Sequence, residues 1–363
     1  MRLLSNADIA RMCDMRTTLD ALRRAYGELA EGRATYGPRI DYYAPSANPE
    51  GYHQWGAMIG ASVGAGVVAV RMKSDIVSWP EGRTAEKYCG EPGTYCGLIM
   101  LFRSSDGLPV ALMQDGYLQH LRVGAAAGIG TDALARPDAD SLGLLGSGGM
   151  AWTFVEAIAA VRPLRTVRVY SPTPEHRTAF AARVRAELGL EAEAVSGPED
   201  AVREAAIVAT ATDAMGPTFD ARWLAPGAHV ACVTRRELGA ELLARADRTL
   251  QLGHNTVPHG TPVPMMEWAA GGIACYVAGN PDERARIPRG RSAERGRYPT
   301  LDDLLRGTAE GRQSASEITL FIATGTQGLQ FAAVAGEVWR RIADDPQIGR
   351  ELPTEWLLQD IRD

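Results

Sequence analysis

The sequence has no apolar run long enough to cross a bilayer. Its glycine-rich uncharged stretch WGAMIGASVGAGVVAV is 16 residues long, short of the ~20 residues a spanning helix needs, so no membrane partner is expected. The first residues, MRLLSNADIARMCD, are polar where a secretory signal has its apolar centre. Cysteine is scarce: Cys13, Cys89, Cys96, Cys232 and Cys275 are the five, none in C-x-x-C spacing. An odd, scattered set in a long chain points to a reduced, cytoplasmic protein and not to a disulfide scaffold. Basic runs, zinc-finger spacings and aromatics interleaved with Lys or Arg are missing, and the net charge is -6. A nucleic-acid partner is therefore not expected. His254 and His259 in HNTVPHG have neither an H-E-x-x-H pattern nor a cysteine beside them, so they read as loop residues and no metal is expected.

What is present is ordinary globular composition, 45% hydrophobic and 23% charged over 363 residues, a length that favours about two domains. DMRTTLDALRRAYGELAEGR sets Met15, Leu19, Leu22, Tyr26 and Leu29 at helical spacing behind Asp14 as N-cap. VVAVRMKSDIV and YCGLIMLFRS read as strands, with SSDGLP a turn. From SLGLLG onward the pattern changes. TVRVYS, AAIVATAT and HVACVT read as strands, GMAWTFVEAIAAV and PEHRTAFAARVRAEL as helices. That alternation predicts βαβ units and a parallel sheet. Residues 255–312 are rich in Gly, Pro and charge and read as loops with one short helix at TLDDLLRG; EITLFIATGTQGLQFAAVAGEVWRRI reads as a strand and then a long helix.

The turn LGLLGSGGMAW is the most informative stretch. Gly146, Gly148 and Ala151 match G-x-G-x-x-A between a strand and a helix, the context that gives this pattern meaning. Gly146 permits the turn, Gly148 lets a pyrophosphate touch the backbone, and Ala151 lets the helix lie close on the sheet. The helix start supplies unpaired N–H groups and a partial positive charge for phosphate. Ser147, Gly149 and Met150 complete the expected dinucleotide contact. At the end of the second strand, VYSPTPEHR has Glu175 as its one acid, beside Ser171, Thr173 and Arg177. An acid at the strand end would hold the ribose 2′-hydroxyl of NAD. Its lack, with Arg177 near, favours NADP(H) over NAD(H). The residues alone leave Arg177 open between that role and an exposed helix charge.

LMQDGYLQHLRVGAAAGIGTDALARPDADSLGLLGSGGMA resembles the signature stretch of the ornithine cyclodeaminase/mu-crystallin family, and the likeness extends to EGRATYGPRI, RMKSD, PGTYCG, ATAT, RREL and LFIATGTQGLQFAAVAG. The resemblance implies an α/β fold in which a Rossmann-type domain (residues 122–320) is inserted into an α+β substrate-binding and dimerisation domain (residues 1–121 with 321–363). It implies a homodimer. It also implies an NAD(P)-dependent oxidoreductase acting on the C–N bond of a small α-amino or α-imino acid. Arg39 and Arg122 would hold the substrate carboxylate, Arg122 standing at a helix start between substrate and cofactor phosphates. Lys73 would lie beside the reacting nitrogen, its pKa lowered by the guanidinium groups. Thr94, Thr210, Thr212, the segment Ala231, Val233 and Thr234, and Arg235 would contact the cofactor.

The departures from the family pattern matter too. Val123 replaces the Thr after the family Arg, Met150 a Gln, and Gln330 an Asp. After HVACVT the chain runs straight into RREL, so no acid lies between Val230 and Glu237, where cyclodeaminases of the family carry a catalytic Asp. VSWPEGRTAEKYCGEPGTYCG is long and carries Trp79, Tyr88 and Tyr95, which would serve as an aromatic wall or as an ordinary lid or dimer contact. Two other readings stay open at this stage. One is a redox-neutral cyclodeaminase of ornithine or a related diamino acid that recycles a held NAD. The other is a non-catalytic, NADP-dependent binder of a small ligand.

Overall fold

Helix Met15–Ala30 forms where the apolar spacing predicts. Asp14 Oδ1 accepts the Thr17 N–H at 2.7 Å, and Met15, Leu19, Leu22 and Tyr26 are buried. Each large side chain so placed contributes about 1.5–3 kcal/mol of burial. The structure, a computed structural model, describes residues 1–49, 51–80, 85–254, 274–288, 298–343, 345 and 347–359.

Two sheets organise the chain. The first is mixed. Its main path runs Ala274–Val277, Ile40–Pro45, Tyr52–Ser62, Val67–Ser78, Cys96–Arg103, Pro109–Gln114, Arg2–Leu4, Arg350–Glu351. Ala34–Tyr36 pairs beside Tyr52–Ser62, and Glu86–Tyr88 beside Val67–Ser78. Helix Gln327–Ile342 lies directly on Tyr52–Ser62. A Cβ on Gly328 would stand 1.8 Å from the Ile59 carbonyl oxygen, and one on Gly60 would stand 2.2 Å from the Gly328 carbonyl carbon. Only glycine at both places lets the two backbones touch.

The second sheet is parallel throughout, in the order Glu191–Ala194, Thr166–Tyr170, Ser141–Leu145, Ile207–Thr210, His229–Cys232, Thr319–Ile322, Arg248–Gln251. Strands Ile207–Thr210, His229–Cys232 and Thr319–Ile322 are buried at every residue, as strands covered on both faces must be. Helices Gly149–Val161 and Pro174–Leu188 connect the first three strands in chain order. The order reverses between Ser141–Leu145 and Ile207–Thr210, and ligands of such sheets bind outside the carboxyl ends of the strands at that point.

Sheet membership cuts across the expected division in two places. Thr319–Ile322 belongs to the parallel sheet, so a boundary at 320 would split a strand. Ala274–Val277, inside the segment expected to be central, pairs with Ile40–Pro45 in the mixed sheet. Four apolar residues in a Gly- and Pro-rich stretch carry no local sign of a partner more than two hundred residues away. A short helix, Pro281–Ala285, was likewise not expected, while Leu301–Leu305 falls where TLDDLLRG predicts. Helix Gly116–Leu134 starts at Gly116, so Arg122 lies inside it and not at its start. The small residues of VGAAAGIG let this helix bury nearly every side, packing on both Met15–Ala30 and Gly149–Val161. No helix among the described residues is long and apolar enough to cross a membrane.

Candidate active site

Strand Val67–Ser78 alternates strictly, and Val67, Ala69, Arg71, Lys73, Asp75 and Val77 share its buried face. Val67 and Ala69 pack into the core. The three residues between them and Val77 are charged. Burying charge in this way is costly unless each group is paired or hydrogen-bonded, and these are. Arg71 Nη2 lies 2.6 Å from Asp115 Oδ2. Lys73 Nζ donates to Asp75 Oδ2 at 2.9 Å and to Gln54 Oε1 at 2.6 Å. Gln54 in turn donates to Asp41 Oδ1 at 3.1 Å and to the Tyr43 hydroxyl at 2.6 Å. Arg39 Nε stands 2.9 Å from Asp41 Oδ2.

The environment brings the Lys73 pKa down to about 7. Burial is the largest cause, the Lys87 ammonium the next and Arg39 the third, opposed by Asp75 and Asp41. The guanidinium effect expected from the sequence is thus the smallest of the three. A group half protonated near neutral pH is suited to give or take a proton. Arg122 is buried and its pKa falls to about 9, first through burial and then through Arg71. Its Nη2 donates to Gln119 Oε1 at 2.6 Å and its Nη1 to Gln330 Oε1 at 3.2 Å. The guanidinium lies over Phe331, 5.0 Å from the ring centroid. With an amide at position 330 and Asp115 bound to Arg71, no carboxylate among the described residues contacts Arg122. Its charge is available to an incoming anion.

The glycine turn stands at the switch point of the parallel sheet. Gly146 has φ +115°, and a Cβ there would meet the Ala211 carbonyl oxygen at 2.4 Å. At Gly148, the N-cap of Gly149–Val161, a Cβ would meet nothing within 4 Å. The helix start therefore opens on free space. Met150 is partly buried and Ala151 fully so. Ser147 Oγ donates to Ser171 Oγ at 2.9 Å. Arg177 Nη1 donates to the Ser171 carbonyl at 2.7 Å, and its guanidinium lies over Tyr170. Thr173 caps helix Pro174–Leu188 by its backbone alone. The buried Thr210 hydroxyl acts on the Glu237 carboxylate. This cradle, with its open helix start, fits a dinucleotide.

At the other end of the cradle a buried acid ties the loops together. Glu237 Oε1 accepts the Thr212 N–H at 2.7 Å and the Thr212 hydroxyl at 2.8 Å, and Oε2 accepts the Thr234 N–H at 3.1 Å. Burial raises its pKa. Ala231 is buried in the strand, Val233 is partly buried, and Arg235 lies over the Tyr298 ring. Arg236, on the same turn, acts electrostatically on Tyr43 and Lys87 of the mixed sheet, so this turn lies within electrostatic reach of that sheet's inner face.

One expected cofactor residue is not brought there. Thr94 is exposed, and its hydroxyl donates within its own loop to the carbonyls of Glu91 (2.7 Å) and Cys89. The aromatic wall does not form either. Tyr95 is 71% exposed, Trp79 packs near Tyr43, and Tyr88 accepts from Asn48. His254 meets Gln251 at 2.5 Å, and His259 lies outside the described residues. Sequence reasoning missed Asp41, Gln54, Lys87 and Asp115. R-M-K-S-D, three charges at period two inside an apolar strand, marks the strand they surround and contains none of the four.

Comparison with known proteins gives one family, whose members carry several activities. The sequence model of the ornithine cyclodeaminase/mu-crystallin family matches residues 3–342. The chain is 30% identical over 274 residues to a delta(1)-pyrroline-2-carboxylate reductase of Bacillus cereus, covering 74% of this chain and 76% of that one. It is 25% identical over 349 residues to an alanine dehydrogenase of Archaeoglobus fulgidus, covering 93% and 94%. Its fold resembles the Thermococcus litoralis delta(1)-pyrroline-2-carboxylate reductase solved with NADH and L-proline, with a TM-score of 0.73 at 23% identity, covering 97% of this chain and all of that one.

Proposed function

Because the chain belongs to the ornithine cyclodeaminase/mu-crystallin family, we propose that it is an NAD(P)-dependent oxidoreductase acting on the C–N bond of an α-amino or α-imino acid. The observation that carries this reading is Lys73, a buried ammonium with a pKa near 7 placed among cations that attract a carboxylate. Arg122 and Arg39 hold the substrate carboxylate, Arg122 with the stronger pull because Asp41 already occupies Arg39. Lys73 gives a proton to the substrate nitrogen, and Gln54 and Asp75 fix the direction in which it points. The cradle from Gly146 to Ala151, with Ser171, Arg177 and Thr210, holds the dinucleotide, which when bound supplies the hydride. Arg177 at the ribose end supports NADP(H) over NAD(H).

Reduction is favoured over cyclodeamination. Ring closure with loss of ammonia needs a free base, whereas Asp41 is bound to Arg39, Asp75 to Lys73, and Glu237 to backbone N–H groups. The mixed sheet binds substrate, and its outer face pairs with a second copy. Tyr42 stacks on Tyr276 at 4.8 Å there, and Tyr42 and Ile59 are each 45% exposed, a patch that a monomer has little reason to keep.

The test is turnover by protein stripped of nucleotide. Supplied with NADPH and delta(1)-pyrroline-2-carboxylate, it should oxidise one nucleotide per proline formed. Turnover that requires a retained, never-exchanging nucleotide would refute the proposal.

A further inference from the structure

Strand Glu86–Tyr88 lies in the long 78–97 segment and pairs antiparallel with the end of the Lys73 strand, Lys87 opposite Val77. Residues directly opposite in an antiparallel pair project from the same face. Val77 is buried on the face that carries Lys73 and Asp75. Lys87 therefore belongs to the inner face of the mixed sheet, at the end of the candidate site. The charges acting on it come from Arg39 and Asp41, from Asp75, and from Arg236 on the turn Arg235–Glu237.

Two carboxylates and four cations meet here, and the pairing leaves a remainder. Asp41 takes Arg39 and Asp75 takes Lys73. Lys87 and Arg236 have no hydrogen bond or ion pair with any of the described residues. Lys87 comes from the mixed sheet and acts on Lys73, and Arg236 comes from the turn after strand His229–Cys232 and acts on Lys87. A half-buried cation without an ion pair, as Lys87 is, is costly in the free protein, and an arriving anion removes that cost; Arg236 is exposed and adds its charge without that cost.

Resting on the oxidoreductase reading above, we infer that Lys87 and Arg236 form a second anion site, and that the preferred substrates carry a side-chain carboxylate in addition to the α-carboxylate. The substrate class is then the α-imino diacids, or the amino diacids in the reverse direction. Arg122 and Arg39 hold the α-carboxylate, and Lys87 with Arg236 holds the distal one. Hydride addition at the imine carbon and protonation of its nitrogen are unchanged, so this pair sets specificity and not chemistry.

The experiment compares pyruvate, oxaloacetate and 2-oxoglutarate, each with ammonium and reduced nucleotide, in the parent protein, Lys87→Met, Lys87→Arg and Arg236→Met. The parent should prefer at least one diacid by about ten-fold or more in kcat/KM, the scale of one charged contact. Lys87→Met should remove that preference, mainly through KM, and Lys87→Arg should keep part of it. Arg236 is exposed, so Arg236→Met keeps the question open to test even if Lys87→Met folds poorly. Binding gives an independent readout: succinate or glutarate should raise the melting temperature of the parent more than propionate, and should lose that advantage in either Met variant. Reduction of pyruvate imine with no preference for a diacid overturns this inference alone. So does an equal loss on all three substrates in Lys87→Met, which would place Lys87 on the α-carboxylate. Failure to reduce any imine, delta(1)-pyrroline-2-carboxylate included, removes the oxidoreductase reading together with this one.

Discussion

Lys73 donates to Gln54 across adjacent strands at 2.6 Å, and Gln54 passes the contact on to Asp41. A neutral amide therefore stands where a carboxylate would hold the ammonium charged. Gln54→Glu would add that charge. An opposite charge at contact distance moves a pKa by roughly 1–3 units, here upward, since it favours the ammonium. Reduction needs protonated Lys73, so its rate should fall as pH rises through about 7 in the parent. Arg39, Asp41, Asp75 and Lys87 are the charges that set this limb. In Gln54→Glu the limb should move to higher pH. A pH–rate profile of kcat/KM checks this, and an unmoved limb would separate Lys73 from the proton transfer.

Gly148→Val should abolish dinucleotide binding in a protein whose melting temperature is nearly unchanged. A Cβ there would meet no atom within 4 Å beyond its own chain neighbours and helix backbone, so the fold loses little. The pyrophosphate, however, needs that approach to the backbone. Fluorescence titration with NADPH is the measurement, and saturable binding at the parent affinity would show that the turn is not the cradle.

Arg177→Ala should weaken NADPH by about ten- to a hundred-fold, the range of one charge-assisted hydrogen bond, and leave NADH nearly as in the parent. One guanidinium nitrogen already caps the Ser171 carbonyl at 2.7 Å, which fixes the group at the strand end where the 2′-phosphate would lie. Equal affinities in the parent would contradict the assignment.

Much of the fold is legible in the sequence because it is local. The helix at Met15–Ala30 and the strand, turn and helix around Gly146 are written in spacing that a short window contains. The site is less so. Lys73 meets Gln54 through a register that sets Gly56 opposite Lys73 and Gln54 opposite Asp75, and shifting that register by one residue would send Gln54 to the other face. Lys87 depends on a three-residue strand with no pattern of its own. Ala274–Val277 joins Ile40–Pro45 from a distant part of the chain. Thr94 misled in the opposite way: its motif matches, but its hydroxyl serves its own turn.

Glu237 shows the same limit from the side of energetics. As a sequence feature it is the first acid after HVACVT and a candidate to replace the family's Asp. In the fold its carboxylate accepts N–H groups from two loops at once. Glu237→Gln would exchange one accepting oxygen for a donor facing donors. It should cost about 1–3 kcal/mol of stability, the penalty of an unsatisfied buried polar group. It should weaken dinucleotide binding as the loops separate. Chemical denaturation with and without NADPH measures both, and an unchanged stability would mean that the acid is free for other work.

The central claim is that the nucleotide is consumed and not recycled. The most direct measurement follows 340 nm absorbance and product together in two reactions with the same protein. One contains delta(1)-pyrroline-2-carboxylate with NADPH, the other ornithine with NADP⁺ or NAD⁺. The account predicts loss of NADPH equal to the proline formed in the first, and little proline or ammonia in the second. Substantial proline and ammonia from ornithine, with no net change in absorbance, would contradict it and would make one of the engaged carboxylates the base of a cyclodeaminase.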